Sequence, residues 1–316
     1  MNIWIWLAIK IAIIFIVVMV TVMYMVWAER KVAGYIQERL GPNRLGPFGL
    51  VQLIADVLKM AFKEEIIPIK VDRFLHFFAP GLIFATAVTA LAVIPFDPSF
   101  YITDVDFGIL FIMAVASTGT YAIMLGGWST GSKYPLLGGT RSMAQIISYE
   151  IPMMLAVMSV VVMAGSLSMQ EIVAAQKNLW FCVSQFPAFC IYMITMLAET
   201  NRLPFDMPEA EAELTAGYMV EFSSLRFGWF YAGEYANMVV ASLVMTSLFL
   251  GGWQGPFAPG WWWFALKTVV VLFCFLWIRW TFPRVRYDQL MKFGWKVMIP
   301  VALANLVVTA SLKVFL

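Results

Sequence analysis

Long runs of apolar residues, separated by short polar stretches, follow one another along the whole sequence. Eight runs can be marked, at roughly 3–28, 74–95, 107–127, 142–164, 179–198, 229–251, 263–282 and 297–315. An α-helix needs about 20 apolar residues to cross the hydrocarbon core of a bilayer. The pattern therefore predicts an all-α, polytopic integral membrane protein with about eight transmembrane helices, forming a single domain over residues 1–316.

The distribution of positive charge predicts the orientation of these helices. If both termini lie outside, the inner loops are 29–73, 128–141, 199–228 and 279–296, and they hold 17 of the 21 Lys and Arg residues. Loops that stay on the cytoplasmic side are enriched in Lys and Arg. We therefore expect both termini outside, and an inner side that carries most of the charge.

One segment of the first inner loop has a different pattern. Within residues 48–63, the polar residues Gln52, Asp56, Lys59 and Lys63 recur every three or four positions. This spacing places one polar stripe along an otherwise apolar helix. We predict an amphipathic helix at about 48–63 that lies on the inner membrane surface or beneath a partner, although such a helix can also lack any function.

Composition agrees with a membrane protein and excludes several classes of site. Hydrophobic residues make up 62% of the chain and charged residues 13%, with a net charge of +2, which gives no support for nucleic-acid binding. The three cysteines are Cys182, Cys190 and Cys274, and His76 is the one histidine. Cysteine-ligated clusters and zinc sites need four closely arranged ligands. We therefore expect no metal, haem or iron–sulfur cluster in this chain.

Negative charge is concentrated in the inner loop at about 199–228. Its carboxylates within 23 positions are Glu199, Asp206, Glu209, Glu211, Glu213 and Glu221. Asp206 and Glu209 can form the capping box of a helix, in which case they have only a structural role. Glu209, Glu213 and Glu221 are spaced to share one helical face among apolar residues, a setting that favours proton exchange near neutrality.

Two further acids lie within predicted spans. Glu150 is followed by Pro152, which cannot donate a backbone hydrogen bond, and Glu234 lies near the inner end of the sixth apolar run. Acids at such depths are costly and usually face a polar cavity or a partner. A salt bridge to Arg141 or to a loop arginine is one interpretation, and a proton or cation path is the other.

Five charged or glycine-rich blocks resemble one family closely. They are ERKVAGYIQERLGPNRLGPFGLVQLIADVLKM, GGWSTGSKYPLLGGTRSMAQIISYE, AETNRLPFDMPEAEAELTAGYMVEF, GEYANM and WIRWTFPRVRYDQLM. In this order they are similar to the H subunits of bacterial proton-pumping NADH:quinone oxidoreductases, also called respiratory complex I. Leu203 and Met207 are small departures that leave the charged positions intact.

The resemblance implies a role for individual residues. It implies that the chain forms the membrane-side wall of a quinone chamber, with Arg30, Arg39 and Asp56 along the access path and Arg202 and Phe227 in or beside the loops that shape the chamber. It further implies a series of acids that links quinone reduction to proton translocation: Glu150, Glu199, Asp206, Glu209, Glu211, Glu213, Glu221 and Glu234.

The same resemblance implies partners and a location. Quinone is the expected substrate, and this non-redox subunit carries no metal, flavin or iron–sulfur cluster. The expected partners are hydrophilic-arm subunits that carry the terminal iron–sulfur cluster and complete the quinone site, small and antiporter-like membrane subunits, and the lipid of a bacterial inner membrane. Two alternatives stay open: a related subunit of a membrane-bound hydrogenase or of a dehydrogenase fed by ferredoxin or deazaflavin, and a stand-alone cation channel or antiporter.

Overall fold

The computed structural model describes residues 3–208, 215, 217–256 and 258–315, and they form an all-α protein. The α-helices are α1 (Ile3–Ile36), α2 (Gln52–Phe62), α3 (Arg73–Ala90), α4 (Gly108–Ser129), α5 (Lys133–Ala164), α6 (Met169–Ala175), α7 (Phe181–Ser184), α8 (Phe186–Glu199), α9 (Ser224–Phe249), α10 (Trp261–Thr281), α11 (Tyr287–Phe293) and α12 (Ile299–Phe315). A π-helical segment, Gly294–Met298, joins α11 to α12.

Six of the described helical stretches are long and apolar enough to cross a membrane. They are Trp4–Ile36, Arg73–Val93, Gly108–Ser129, Lys133–Ala164, Trp261–Thr281 and Tyr287–Phe315. The prediction of an all-α polytopic membrane protein is thereby confirmed. The other two predicted spans fall on α8, which has only 14 residues, and on α9, which has 26 residues but carries Glu234 and Asn237. The count of eight and the position of the termini stay predictions.

Helix α9 is the centre of the helical assembly. From Met238 to Phe249 every residue is buried, whereas much of α1 and α12 exposes apolar side chains such as Trp4 and Val308. Helices α1, α3 and α10 pack against α9, and α5 packs against α4, α8 and α12. Exposed apolar faces on the outer helices are the surfaces that a bilayer covers.

The amphipathic helix is shorter than the predicted 48–63. Helix α2 spans the 11 residues Gln52–Phe62, and a 3₁₀ turn at Pro47–Gly49 precedes it. Phe48 and Gly49 have φ values of 54° and 78°. A right-handed helix cannot run through left-handed positions, so α2 starts after them. At its other end Lys63 adopts an extended conformation, with ψ of 138°.

The inner loop that follows α8 is held to α5 by side-chain hydrogen bonds. Gln145 Nε2 donates to the carbonyl oxygens of Ala198 and Phe205, at 2.7 Å in both cases. Ser142 Oγ donates to Asn201 Oδ1 at 3.2 Å. Because buried polar groups need partners, these bonds fix the backbone on both sides of Arg202 and direct its side chain inward.

A buried lysine fixes the other end of α9. Lys267 in α10 donates to the carbonyl oxygens of Leu250, Gly252 and Gln254 at 2.5, 3.0 and 2.5 Å. Its Nζ also lies 4.2 Å from the centre of the Trp180 ring. Leu250 is the C-cap of α9, and Gly252 and Gln254 lie in the turn that follows, so Lys267 holds this turn against the helix end and its charge complements the helix dipole.

Candidate functional site

Helices α1 and α2 meet at an ion pair near the C-terminal end of α1. Arg30 Nη1 lies 2.5 Å from Asp56 Oδ2, and Gln52 Nε2 donates to Asp56 Oδ1 at 3.0 Å. The Arg30 side chain is 46% exposed and that of Asp56 26%, so solvent screens the pair and it adds little stability. The structure thus brings together two of the residues that the resemblance assigns to the quinone access path.

Two cavities adjoin this ion pair and share Arg30, Asp56 and Met60. The first has a volume of about 450 Å³, and its polar lining includes Lys59, Lys63, Ser223 and Ser224, with Phe222 and Phe227 on its apolar side. The second has a volume of about 120 Å³ and lies between α1, α2 and α9, where Val22, Val26, Val57, Tyr231 and Tyr235 are among its lining residues. Arg30 and Asp56 therefore stand where a polar space meets a more apolar one.

The apolar cavity leads to a buried carboxylate that the sequence interpretation missed. Tyr235 Oη donates to Glu29 Oε2 at 2.5 Å, and the hydroxyls of Tyr231 and Tyr235 are 3.1 Å apart. Glu29 is 7% exposed, and Arg279 from α10 lies 2.5 Å from its Oε1. A charge this deeply buried persists only when it is paired and hydrogen-bonded, and Glu29 meets both conditions.

Arg202 lies between two buried carboxylates. Its Nη1 is 3.7 Å from Glu29 Oε2 and its Nη2 is 3.9 Å from Glu234 Oε2. The guanidinium also lies 4.1 Å from the centre of the Tyr235 ring. One loop arginine thus connects α1 to α9, and the ion pair between Glu234 and a loop arginine that the sequence suggested is present. Whether Glu234 also belongs to a proton path stays a prediction. We call Glu29, Arg202, Glu234 and Arg279 the buried charge network.

The surroundings of Arg202 keep it positively charged. Burial alone would lower the pKa of its guanidinium, but Tyr235, Glu234, Glu29 and Tyr231 act in the opposite direction and raise the pKa above its ordinary value. Two cations and two carboxylates make the buried charge network formally neutral. A proton added to either carboxylate leaves an uncompensated positive charge inside the protein.

Glu234 also contacts the inner loop through a second side chain. Tyr218 Oη donates to Glu234 Oε1 at 2.5 Å, and Tyr218 is fully buried. Tyr218 belongs to a 3₁₀ turn, Gly217–Met219, that packs against α4 and α5. The inner loop therefore supplies both a cation and a phenol to the same carboxylate of α9.

Glu150 and Glu199 are two further acids, half-buried on the packed helices α5 and α8. Ser117 of α4 donates a short hydrogen bond to Glu150 Oε1, and Glu199 is the last residue of α8. Glu199 lines a cavity of about 60 Å³ together with Thr120, Thr200 and Asn237. Within the described residues, the buried Thr120 hydroxyl has no hydrogen-bond partner.

The remaining predicted site residues differ in their placement. Phe227 lines the larger cavity and stacks on Tyr231, with 6.0 Å between the ring centres, whereas Arg39 is exposed in the turn after α1. Asp206 and Glu221 are half-buried in the inner loop. The predicted coupling residues Glu209, Glu211 and Glu213 lie outside the described residues, as does most of the helix that Asp206 and Glu209 are expected to cap.

The expectation that Glu209, Glu213 and Glu221 share one helical face is wrong for Glu221. Thr215 and Gly217 have φ values of 60° and 55°. Left-handed residues interrupt a right-handed helix, so no continuous helix reaches Glu221. Glu221 instead lies in a turn after the 3₁₀ segment Gly217–Met219.

Sequence reasoning missed Glu29, Arg279 and the tyrosines that surround them. Glu29 lies at the C-terminal end of a long apolar run, next to Arg30 and Lys31, where it resembles an ordinary flanking charge. The spacing of Tyr231 and Tyr235 could have indicated a polar site. They are four positions apart on α9, so they share one helical face, and Glu234 lies between them in the sequence. Among the described residues no group of three or more His, Cys, Asp or Glu side chains could hold a metal ion.

Comparisons with known proteins show the family to which the chain belongs. A family model described as NADH dehydrogenase matches residues 9–310. The NADH-quinone oxidoreductase H subunit of Paramagnetospirillum magneticum is 50% identical over 296 residues, which cover 92% of this chain and 87% of that protein. The H subunit of Magnetococcus marinus is 49% identical over 90% of this chain and 84% of its own length. For the second H subunit of Geobacter sulfurreducens the identity is 46%, over 92% of both chains.

These matches extend over the segments that carry the Arg30–Asp56 pair and the buried charge network. They agree with the resemblance of the five sequence blocks. The relatives are named as subunits of NADH-quinone oxidoreductase, a multi-subunit oxidoreductase whose substrate is a quinone. The chain therefore belongs to the H subunit family of NADH-quinone oxidoreductases, the membrane subunits of respiratory complex I.

Proposed function

We propose that this chain forms the membrane-side wall of the quinone chamber of an NADH:quinone oxidoreductase and couples quinone reduction to proton translocation. The observation that carries the proposal is the position of the Arg30–Asp56 pair. It lies between the polar cavity of about 450 Å³ and the more apolar one of about 120 Å³ that ends at Tyr231 and Tyr235.

The two cavities suit the two parts of a quinone. A quinone has a polar head with carbonyl oxygens that accept hydrogen bonds, and an isoprenoid tail that prefers lipid. Valine and methionine side chains from α1 and α2 line the smaller cavity, which suits the isoprenoid tail. The cationic side chains of Arg30, Lys59 and Lys63 line the larger cavity, where they can donate to the head and offset the negative charge that reduction produces.

Electrons reach the quinone from partner subunits in this proposal. Reduction of a quinone to a quinol consumes two electrons and two protons, and this chain contributes binding groups and electrostatics. The partners are hydrophilic-arm subunits with the terminal iron–sulfur cluster, together with small and antiporter-like membrane subunits. The host membrane is the plasma membrane of a bacterium.

The buried charge network gives a route from the chamber to the membrane interior. Tyr235 lines the smaller cavity and hydrogen-bonds to Glu29, while Arg202 connects Glu29 to Glu234. Negative charge on the quinone changes the proton affinity of nearby carboxylates because charges interact strongly in a poorly solvated interior. Buried ion pairs rarely repay their desolvation cost in stability, which supports a role beyond holding helices together.

Glu150 and Glu199 extend this route. The cavity of about 60 Å³ beside Glu199 is large enough for water, and the Thr120 hydroxyl offers a hydrogen-bonding group to it. Water in this cavity would exchange protons with Glu199 and carry them toward Glu150. In this proposal Glu221, Asp206 and the acids Glu209, Glu211 and Glu213 supply protons from the inner side, with Arg39 and Phe227 shaping the chamber.

Conservative changes to the Arg30–Asp56 pair test the quinone part of the proposal. Arg30→Gln and Asp56→Asn should raise the KM for quinone or slow its reduction in the intact complex. NADH:ferricyanide activity should stay unchanged, because ferricyanide takes electrons before they reach the quinone. The matched control is Arg286→Gln, since Arg286 forms an exposed ion pair with Asp288 at 2.5 Å and lines neither cavity. Quinone kinetics equal to those of the control would refute the proposal.

A further inference from the structure

An apolar groove runs along the outside of the helix assembly between α1 and α10. Its volume is about 470 Å³, and residues of α1, α9, α10 and the turn after α3 line it. Along α10 it extends from Trp261 to Leu272, a distance of about 16 Å at 1.5 Å per residue. That length matches one leaflet of a bilayer whose hydrocarbon core is about 30 Å thick.

The wall of this groove offers hydrocarbon to its occupant. Its lining includes Ile14, Val18, Leu243 and Phe264. The two threonines in the wall, Thr21 and Thr268, donate their hydroxyls to carbonyl oxygens of their own helices at 2.8 Å. The occupant therefore needs no polar groups along most of its length.

Charges of both signs stand at one end of the groove. Asp97 and Phe100 line it there, and Lys10 Nζ lies 5.9 Å from the centre of the Phe100 ring. Lys10 donates to the carbonyl oxygens of Tyr101 and Ser99 at 3.1 and 3.4 Å. An ammonium group has three N–H donors. Two of them bond to described carbonyl oxygens, so the third can donate to an acceptor on a ligand.

We infer that the α1–α10 groove is a phospholipid site, with one acyl chain along α10 and a zwitterionic headgroup of the phosphatidylethanolamine type at its charged end. The phosphate of the headgroup accepts a hydrogen bond from Lys10, and the ammonium of the ethanolamine pairs with Asp97. Trp261, at the start of α10, lies at the same end, as is typical of aromatic residues at the membrane interface. In this inference the lipid packs against the part of α1 between residues 13 and 21. The next part of the same helix, from Val22 to Arg30, lines the smaller cavity.

Photocrosslinking in the intact complex tests this site. The complex is reconstituted with phosphatidylethanolamine that carries a diazirine on one acyl chain, and the labelled peptides are mapped by mass spectrometry. Wild type should be labelled on α1 between residues 13 and 21 and on α10 between residues 265 and 272. Ala265→Phe fills the groove and should lose most of this labelling, while the matched Leu266→Phe, on the lipid-facing neighbour outside the groove, should keep it.

The headgroup is tested separately. Lys10→Gln and Asp97→Asn should each lower labelling by the phosphatidylethanolamine probe several-fold. A diacylglycerol probe with the same diazirine chain should label wild type weakly and be insensitive to both changes. These two variants also carry the test if Ala265→Phe prevents assembly.

Three results would overturn the inference. One is equal labelling of wild type and Ala265→Phe in assembled complex, and another is loss of labelling when excess quinone competes. The third is a crosslink from a photoreactive amino acid at position 265 to another protein subunit, because a subunit and not a lipid then occupies the groove.

Discussion

The phenol of Tyr235 donates a 2.5 Å hydrogen bond to Glu29, and the two residues are 206 positions apart in the sequence. This bond joins the C-terminal part of α1 to the buried face of α9. It also connects the lining of the smaller cavity to the buried charge network. The proposed coupling depends on this contact more directly than on any other hydrogen bond described above.

Removal of the Tyr235 hydroxyl should therefore cost both stability and turnover. Tyr235→Phe leaves Glu29 Oε2 without its hydroxyl donor, which costs roughly 1–3 kcal/mol for a buried group. We expect a lower temperature of thermal inactivation of the complex and slower quinone reduction. The control is Tyr231→Phe, because its hydroxyl contacts that of Tyr235 and not the carboxylate in the described structure. Equal behaviour of the two variants would argue against a special role for Tyr235.

Glutamine in place of Glu150 should separate electron transfer from pumping. Glutamine keeps the volume and can still accept from Ser117, but it cannot bind and release a proton. We expect normal assembly and ferricyanide reduction, with quinone reduction and the proton gradient both decreased. The same outcome is expected for Glu221→Gln. Both are measured in inverted membrane vesicles against Glu171→Gln, an exposed acid on α6. Wild-type pumping in both variants would remove the basis for an acidic proton path.

Lys267 should prove important for stability and unimportant for quinone binding. Lys267→Met removes a cation that satisfies three carbonyl oxygens, at a cost of roughly 2–4 kcal/mol. The expected result is a lower thermal inactivation temperature with an unchanged KM for quinone. Lys313→Met is the control, because Lys313 is exposed and donates to a single carbonyl, that of Met163, at 3.1 Å. A changed KM for quinone in Lys267→Met would contradict a purely structural role.

The predicted orientation can be tested with single cysteines. After replacement of Cys182, Cys190 and Cys274 by serine, Ile69→Cys and Lys177→Cys place one thiol in each kind of loop, and both native side chains are exposed. A membrane-impermeant maleimide should label position 177 in intact cells and position 69 only after permeabilisation. The reverse pattern would invert the proposed topology and move the acidic loop outside.

The parts of the fold that depend on composition could be predicted from the sequence. Apolar runs of sufficient length predict spanning helices because a bilayer requires internal backbone hydrogen bonding. The N-terminal boundary of α2 could not be predicted. It depends on the left-handed backbone at Phe48, which no side-chain pattern indicates. The resemblance assigns Arg30 and Asp56 to the access path, and their contact follows from the packing of α2 on α1.

The buried charge network was harder to predict for a different reason. The resemblance points to Arg202 as a chamber residue, and the apolar pattern points to Glu234 as an intramembrane acid. Their connection through Glu29 is a long-range tertiary contact that sequence spacing does not encode. In the sequence, the four-residue spacing of Tyr231 and Tyr235 indicates that α9 has a polar face next to Glu234.

The position of Arg202 between two carboxylates has a consequence for genetics. Because one guanidinium serves both Glu29 and Glu234, at 3.7 and 3.9 Å, a substitution at either acid changes the environment of the other. Effects of Glu29→Gln and Glu234→Gln on stability should therefore be non-additive, with a coupling energy of roughly 0.5–3 kcal/mol in a double-mutant cycle. Natural variation at these two positions is then constrained jointly, so that a change tolerated in one sequence background is harmful in another.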